Sequence, residues 1–444
     1  MRFIRVLTYI ITCTLLLSCN KYLDVQPKGI VMPKTVSEFE GILNSETLTT
    51  TFPTHLVYLS DDIKTNISSL EKTTDANAYF WRQSLDPNRE AEPAVWAISY
   101  RVIYRANVII NNIMDAEGGN EQKKKEILAE ALVTRADAYY NLLTVFAKAY
   151  DRNTAVSDPG LPWVTSTDVT TATPDRLSLQ ETLDRMIEDL KVAANDLPTT
   201  NVNKYRATKY VANGLLARIY LYMEDYANAA TYATKALEAP HIISNYNDIY
   251  SFYELPMVED DPEILWARLT EDAYLINDLN YSQSLVDIFD YSDLRFLYFA
   301  EDWYGEGDYI RNSFGFVNTG ITFPEMLLTK AEALAHNDDF STAMDIVNTL
   351  RENRIDQYSY EELVASSKEE AIDLILLERR KELAFGGQRW ADMKRLDKQG
   401  RMPEVERINK DGDVLASLPP KSPNYTIEIP GRVLLFNPNM KKNH

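Results

Sequence analysis

The chain has 444 residues, of which 45% are hydrophobic and 25% are charged, so it can bury a large core and is too apolar to be intrinsically disordered. Its formal net charge of −20 opposes nucleic-acid binding, because phosphate would meet a repulsive field. With 15 Gly, four His and two Cys, the chain lacks Gly-rich phosphate loops, zinc-ligand spacings and the G-x-S-x-G elbow, so we predict no catalytic residue, metal ligand or cofactor.

The amino terminus has the organisation of an export signal. Two arginines in the first five residues precede an apolar run over 6–17, which is too short to cross a bilayer core of about 30 Å as a helix. The run ends in Leu16-Leu17-Ser18-Cys19, which resembles the lipobox of bacterial lipoproteins. This resemblance implies removal of residues 1–18 and lipid attachment at Cys19, which would tether the protein to a membrane. The alternative is an ordinary signal peptide with a chance cysteine.

Helical periodicity dominates the remainder of the chain. Apolar residues recur every three or four positions, which is typical of amphipathic helices with one buried face. Several of these stretches end at a proline, which cannot continue a helix. The predicted helices cover 95–114, 124–150, 179–197, 204–239, 323–354 and 368–396.

Two of these stretches share one spacing of small and aromatic residues. The two matching sets are Ala217, Tyr220, Tyr226, Ala229, Ala236 and Ala331, Leu334, Phe340, Ala343, Leu350. Small residues where helices cross, with an aromatic residue at the turn, predict tetratricopeptide-like helical hairpins that turn at Asp225 and Asp339. Such units bury their faces only against neighbours, so we expect further hairpins from the 95–150 and 179–239 stretches.

Composition changes between the helical blocks. Residues 151–178 are rich in Pro, Thr and Asp, and 399–444 are rich in Pro, which predicts irregular structure. Residues 241–322 are rich in Asn, Asp and aromatic residues, with short strand-like pieces, and are expected to fold over the helices. The predicted fold is therefore mainly α, with helical hairpins, long irregular loops and short strands. We expect one domain over 19–444, divided into an N-terminal helical half (19–240), a loop-rich ligand-binding insertion (241–322) and a C-terminal half (323–444).

A set of short motifs, in this order and spacing, resembles the SusD/RagB family of outer-membrane lipoproteins. The motifs are Tyr22-Leu23-Asp24, Arg105-Ala106-Asn107, Arg135-Ala136-Asp137-Ala138-Tyr139-Tyr140, Ala217-Arg218-Ile219-Tyr220, Glu378-Arg379-Arg380-Lys381-Glu382-Leu383-Ala384-Phe385, Gly387-Gln388-Arg389-Trp390 and Leu435-Phe436-Asn437-Pro438. They span nearly the whole chain after Cys19. Gly386 departs from the family pattern, which usually has Glu there, so we expect a changed loop or partner contact at this position.

This resemblance implies a surface-exposed, lipid-anchored outer-membrane protein of Bacteroidota that is not an enzyme. It implies that the protein binds an oligosaccharide, a polysaccharide or another bulky nutrient. Its implied partner is a SusC-like TonB-dependent transporter, which would receive the ligand.

A sugar ring offers a C–H face and a rim of hydroxyls, so its site needs exposed aromatic rings beside short polar side chains. Trp96, Trp266 and Trp390 lie in helical or strand-like runs and are predicted to be core residues. The remaining aromatic residues of this kind lie in loops, where packing against the scaffold is the alternative to ligand binding. The predicted ligand contacts are Trp81, Arg82, Trp163, Trp303, Tyr304 and Tyr309.

Two other functions fit the sequence. A surface glycoside hydrolase needs two carboxyl groups at the right separation, and among 66 acidic residues such a pair occurs by chance. A tetratricopeptide-like scaffold for protein partners needs only the helical repeats.

Overall fold

The computed structural model describes residues 32–271, 279–302, 305, 307–311 and 317–444. Helices dominate this part of the chain. In chain order they are α1 (Val36–Leu43), α2 (Glu46–Thr49), α3 (Thr74–Tyr79), α4 (Ala94–Asn112), α5 (Glu121–Phe146), α6 (Leu179–Asp196), α7 (Lys209–Tyr222), α8 (Tyr226–Ala236), α9 (Gln283–Val286), α10 (Leu294–Phe299), α11 (Phe323–His336), α12 (Phe340–Glu352), α13 (Lys368–Glu382), α14 (Arg389–Lys398) and α15 (Gly431–Phe436). The mainly α prediction is confirmed.

The strands are short and antiparallel. They are β1 (Ile63–Lys64), β2 (Pro159–Pro162), β3 (Arg176–Ser178), β4 (Ile264–Trp266), β5 (Asn280–Tyr281), β6 (Ala300–Glu301), β7 (Ile310–Arg311), β8 (Ile321–Thr322), β9 (Val405–Ile408) and β10 (Val414–Leu418). Three two-stranded pairs and one four-stranded sheet, of order β1-β5-β7-β6, are formed by these strands.

Successive helices stack in antiparallel pairs around α5. Helix α4 packs on α5, α5 on α6, α6 on α7, α7 on α8, α8 on α11, and α11 on α12 and α13. From Ala129 to Phe146 every residue of α5 is buried, which places this helix in the centre of the main core. The buried charged residues Glu130 and Arg135 of this helix are paired with Arg206 and Asp189, as burial of a charge requires.

The repeated spacing marks two hairpins with the same turn. Asp225 begins α8 and Asp339 begins α12, and each aspartate side chain accepts a hydrogen bond from the backbone N–H three residues later. The preceding residues, Glu224 and Asp338, both have left-handed φ angles, of 58° and 69°. The hairpins α7–α8 and α11–α12 were therefore predicted correctly, including their turns.

The long helix predicted over 368–396 is interrupted. Helix α13 ends at Glu382 and α14 begins at Arg389, with φ angles of 65° at Phe385 and 79° at Gly387 between them. A side chain at Gly387 would place its Cβ 3.0 Å from the ring of Phe52. The apolar period continues across this break, which is why the prediction extended the helix over Gly386-Gly387, although a Gly-Gly pair often marks a turn.

Candidate functional site

Two buried arginines fasten the loop-rich 241–322 segment to the C-terminal helices. Arg354 donates from Nη2 to Glu263 Oε1 at 2.7 Å and to Glu382 Oε1 at 2.8 Å, and from Nη1 to the Ser244 carbonyl at 2.8 Å. Arg295 on α10 reaches Oε2 of the same Glu382 at 2.8 Å. Each guanidinium finds carboxylate partners that offset its loss of hydration, which a buried charge requires.

This ion network forms one wall of a cleft with a volume of about 240 Å³. The turn 383–388 and strand β8 contribute further lining. Apolar lining comes from Phe252, Leu255, Pro256, Met257, Val258, Ile264, Phe299 and Val317, and polar lining includes Ser244, Asp261, Arg311, Asn318, Lys381 and Gln388. A concave, largely apolar site with a few polar groups is the usual form of a small-molecule or sugar site.

Two buried donors at the cleft have no protein acceptor in the part of the chain that the structure describes. They are Nδ2 of Asn318 and Nε of Arg311. The Asn318 Oδ1 atom accepts from the backbone N–H groups of Arg268 and Gly320, which fixes the amide. The Arg311 guanidinium lies 4.3 Å from the centre of the Phe299 ring. Buried donors without acceptors are costly, so a ligand hydroxyl would gain by meeting either atom once a side-chain movement opened it to the cleft.

The carboxyl groups in the wall of the cleft differ in their pKa values. Burial opposes ionisation of Glu382, but the charges of Arg354 and Arg295 outweigh it and lower its pKa to about 2. For Glu263 burial is the largest influence and raises the pKa to about 7, against the opposing charge of Arg354. Burial also raises the pKa of Asp261. Of the two glutamates that bind Arg354, Glu382 therefore carries the negative charge, and Asp293 and Glu378 add further carboxylates around Arg295.

Two family models match separate parts of the chain. Residues 21–221 match a family described as starch-binding and associating with the outer membrane, and residues 318–433 match the SusD family. The SusD-like protein P38 of Formosa agariphila is 23% identical, and the alignment covers 88% of this chain and 91% of that protein. A SusD-like protein of Bacteroides ovatus is 26% identical over 42% of this chain and 36% of that one. A SusD superfamily structure from Bacteroides thetaiotaomicron has a TM-score of 0.77 at 20% identity and covers 92% of this chain and 100% of that chain.

The chain belongs to the SusD/RagB family. The family resemblance in the sequence motifs is thereby confirmed, and with it association with the outer membrane and carbohydrate binding as the family's properties. Within the described ranges, no helix is both long and apolar enough to cross a bilayer. The same ranges contain no group of three or more His, Cys, Asp or Glu side chains arranged to hold a metal ion.

Trp81 differs from the exposed ring that we expected for a ligand contact in this SusD/RagB chain. Its side chain has 0% exposure, and its indole N–H donates to the Leu59 carbonyl at 2.9 Å. The Arg407 guanidinium lies 4.1 Å from its ring centre. Arg82 donates to the backbone carbonyls of Glu71 and Ser69 and to the Asn77 side chain. In this structure Trp81 therefore offers no face to a sugar, and Arg82 organises a loop.

Trp163 and Tyr309 also pack on protein. Trp163 is 8% exposed, and its ring stacks on Tyr139 with 4.1 Å between ring centres. Trp163 also lines a groove with a volume of about 460 Å³, together with Tyr100 and Tyr104. Tyr309 is half-buried and lies 4.7 Å from the Phe296 ring. The predicted contacts Trp303 and Tyr304, and the predicted lipid site Cys19, lie outside the described residues.

The four-stranded sheet contains β6 and β7, the strands on either side of the predicted ligand contacts Trp303, Tyr304 and Tyr309 in this SusD/RagB protein. Ile63 pairs with Tyr281, Asn280 with Ile310, and Ile310 with Glu301, so β5 lies between β1 and β7. Lys64 and Asp308 form an ion pair across this junction.

Arg311, Asn318 and Phe299, which line the cleft, were not predicted from the sequence. The departure from the family pattern at Gly386 was the available signal, because Gly386 lies in the cleft wall. A side chain there would place its Cβ 3.2 Å from the Leu383 carbonyl oxygen.

Proposed function

We propose that this protein is a cell-surface lipoprotein, anchored through Cys19, that binds a glycan or another bulky nutrient and delivers it to a SusC-like TonB-dependent transporter. The observation that carries the proposal is the cleft between the loop-rich segment and the C-terminal helices, with aromatic and apolar lining and two buried donors at Arg311 and Asn318. Membership of a family described as starch-binding supports a carbohydrate as the ligand. Lipid anchoring is supported by the lipobox-like sequence.

The state of the cleft carboxylates favours binding without hydrolysis. Glu325 is bridged by Arg218 at 2.7 Å, Glu382 by Arg354 and Arg295, and Glu263 by Arg354 and the Ser244 N–H. A glycosidase needs one carboxyl group to donate a proton and a second to act as base or nucleophile. Glu325 and Glu382, held by arginine hydrogen bonds, are poorly placed for either role, which leaves Glu263, whose pKa burial raises to about 7, as the carboxyl group to substitute in the hydrolase test.

The binding step is tested with the purified protein and a panel of oligosaccharides. Once a ligand is found, we expect Arg311→Gln and Asn318→Ala each to weaken its binding by about tenfold, which corresponds to about 1.4 kcal/mol. The matched control is Arg432→Gln, an exposed arginine of α15 outside the cleft. Unchanged affinity in both cleft variants would show that the ligand binds outside the cleft.

Membrane anchoring and ligand delivery are tested in living cells. Replacement of Cys19 by Ala is expected to release the protein from the membrane fraction, and deletion of its gene is expected to slow uptake at limiting glycan. Unchanged uptake would refute delivery. Release of reducing sugar by the purified protein, abolished by Glu263→Gln, would instead favour a hydrolase. Recovery from membranes with a protein complex that contains no transporter would favour a scaffold.

A further inference from the structure

Four tyrosines on three neighbouring segments, two of which also contribute residues to the cleft, are exposed to an unusual degree. Tyr250, Tyr253, Tyr291 and Tyr358 have exposures of 87%, 84%, 94% and 90%. Large aromatic side chains usually bury most of their surface, and a cluster of exposed ones marks a binding surface. We call these four residues the tyrosine ridge.

The residues of the ridge come from three segments that hydrogen bonds hold side by side. The Asn247 side chain donates to the Ile355 carbonyl at 3.0 Å and accepts from the Gln357 N–H at 2.8 Å. The Asp356 N–H donates to the Ser292 carbonyl at 2.8 Å. Tyr250, Tyr291 and Tyr358 therefore each lie within three residues of one of these junctions.

The ridge continues into the cleft. The Tyr298 hydroxyl donates to the Ile249 carbonyl, which ties α10 to the base of Tyr250. Phe252, the neighbour of Tyr253, packs edge-on against Phe299 with 6.4 Å between ring centres, and both phenylalanines line the cleft. A ligand that fills the cleft and extends beyond it would meet the exposed rings next.

The charge around the ridge selects against anionic ligands. The stretch 242–267 contains no Lys, Arg or His, and neither does 355–367. Exposed acidic residues lie along all three segments, among them Asp248, Glu254, Asp290 and Glu361. Three cations next to these segments are paired with carboxylates: Arg295 with Asp293 and Glu382, Arg351 with Glu378, and Lys381 with Asp293. A sulfated or uronic-acid polymer would be repelled over about 8 Å at physiological salt.

From exposed rings, continuity with the cleft and an acidic border, we infer that the tyrosine ridge is a second binding surface, which holds the continuing chain of an uncharged polysaccharide whose end or segment occupies the cleft. Tyrosine rings stack on the C–H faces of sugar rings, and their hydroxyls reach the sugar hydroxyls. This inference rests on the proposed function of the cleft and adds the ligand class: a long, uncharged glycan.

The test uses native gels that contain amylopectin, galactomannan, arabinoxylan or laminarin as uncharged probes and alginate as the anionic probe. We expect retardation of the wild-type protein by at least one uncharged polymer, none by alginate, and no change between 50 and 300 mM NaCl, roughly the range over which charge contacts are screened. The variant Tyr250→Ala/Tyr291→Ala/Tyr358→Ala is expected to lose about tenfold or more in affinity for the polymer, because each stacked ring contributes severalfold.

Chain length separates the ridge from the cleft. The triple alanine variant is expected to bind a disaccharide or trisaccharide of the same polymer with an affinity within about twofold of wild type, a difference of about 0.4 kcal/mol in binding free energy. The corresponding triple Phe variant keeps the rings and should retain most polymer binding. Phe436→Ala is the matched control, because Phe436 is 75% exposed in a different groove, beside Pro93 and Trp96.

Equal polymer binding by wild type and the triple alanine variant would overturn the inference while leaving the cleft intact. Preferential binding of alginate would overturn the ligand class. Loss of transporter recovery from membranes with polymer binding retained would make the ridge a protein interface and refute our assignment. If the wild-type protein binds no glycan at all, the proposed function itself fails.

Discussion

Replacement of Trp81 tests whether this residue supports the fold or contacts a ligand. Trp81→Ala would remove a fully buried indole, and large-to-small changes of this kind cost about 3–5 kcal/mol. It would also orphan the Leu59 carbonyl and remove one of the two rings, Tyr79 and Trp81, that lie 4.1 Å from the Arg407 guanidinium. A desolvated cation–π contact adds about 2 kcal/mol. The total approaches the whole stability of many domains, about 5–15 kcal/mol.

Urea denaturation of wild type, Trp81→Ala and Trp81→Phe measures this effect. The Phe variant keeps a ring against Arg407 and loses the N–H donor, so we expect a loss of about 1–2 kcal/mol. For Trp81→Ala we expect a large fall in the midpoint, with glycan affinity of the folded fraction unchanged. A variant with normal stability and abolished glycan binding would refute the reasoning and restore Trp81 as a ligand platform.

Three further predictions concern stability. The pKa of Glu382 is lowered from 4.5 to about 2, so its ionised form stabilises the fold above pH 4.5, and this contribution disappears as the pH falls towards 2. In denaturation experiments between pH 5 and 2, the free energy of unfolding should fall by about 3 kcal/mol more for wild type than for Glu382→Gln. Gly320→Ala would place a Cβ 1.9 Å from the Trp266 carbonyl oxygen and should cost more than about 2 kcal/mol, whereas Gly41→Ala, with no atom within 4 Å, should stabilise α1 by about 0.5–1 kcal/mol in thermal melts. Asp339→Ala removes the cap of α12 and should cost about 1 kcal/mol in the same assay, with no loss if the cap is unimportant.

Features that depend on local spacing were predictable from the sequence. The two hairpins follow from small and aromatic residues at fixed separations, and the capping aspartates Asp225 and Asp339 lie at the predicted turns. Each feature involves residues within about one helical hairpin. The local sequence is sufficient to predict a hairpin because the same residues form the turn and make the first contacts between its two helices.

Features that depend on distant residues were not predictable. The burial of Trp81 is decided by Arg407, whose partner carbonyl on Tyr79 is 328 positions away in the sequence. The local sequence of an aromatic-rich loop does not distinguish rings that contact a ligand from rings that pack on a buried guanidinium. The interruption of the 368–396 helix had a local signal in Gly386-Gly387, but the close approach of Phe52 to Gly387, where a Cβ would lie 3.0 Å from the ring, involves a distant part of the chain.

The cleft lies where these non-local features meet, which explains why its residues carried no motif. One wall is the break between α13 and α14, and another is the loop segment that Arg354 and Arg295 fasten through Glu382. The charges of Arg354, Arg295 and Glu382 pair with one another inside the wall, whereas the cationic side chains of Arg311 and Lys381 also line the cleft. Attraction of a ligand is then expected from the rings and from donors such as Arg311 Nε. Such a site suits a ligand rich in hydroxyl groups, and the response of binding to added salt distinguishes an uncharged ligand from an anionic one that pairs with Arg311.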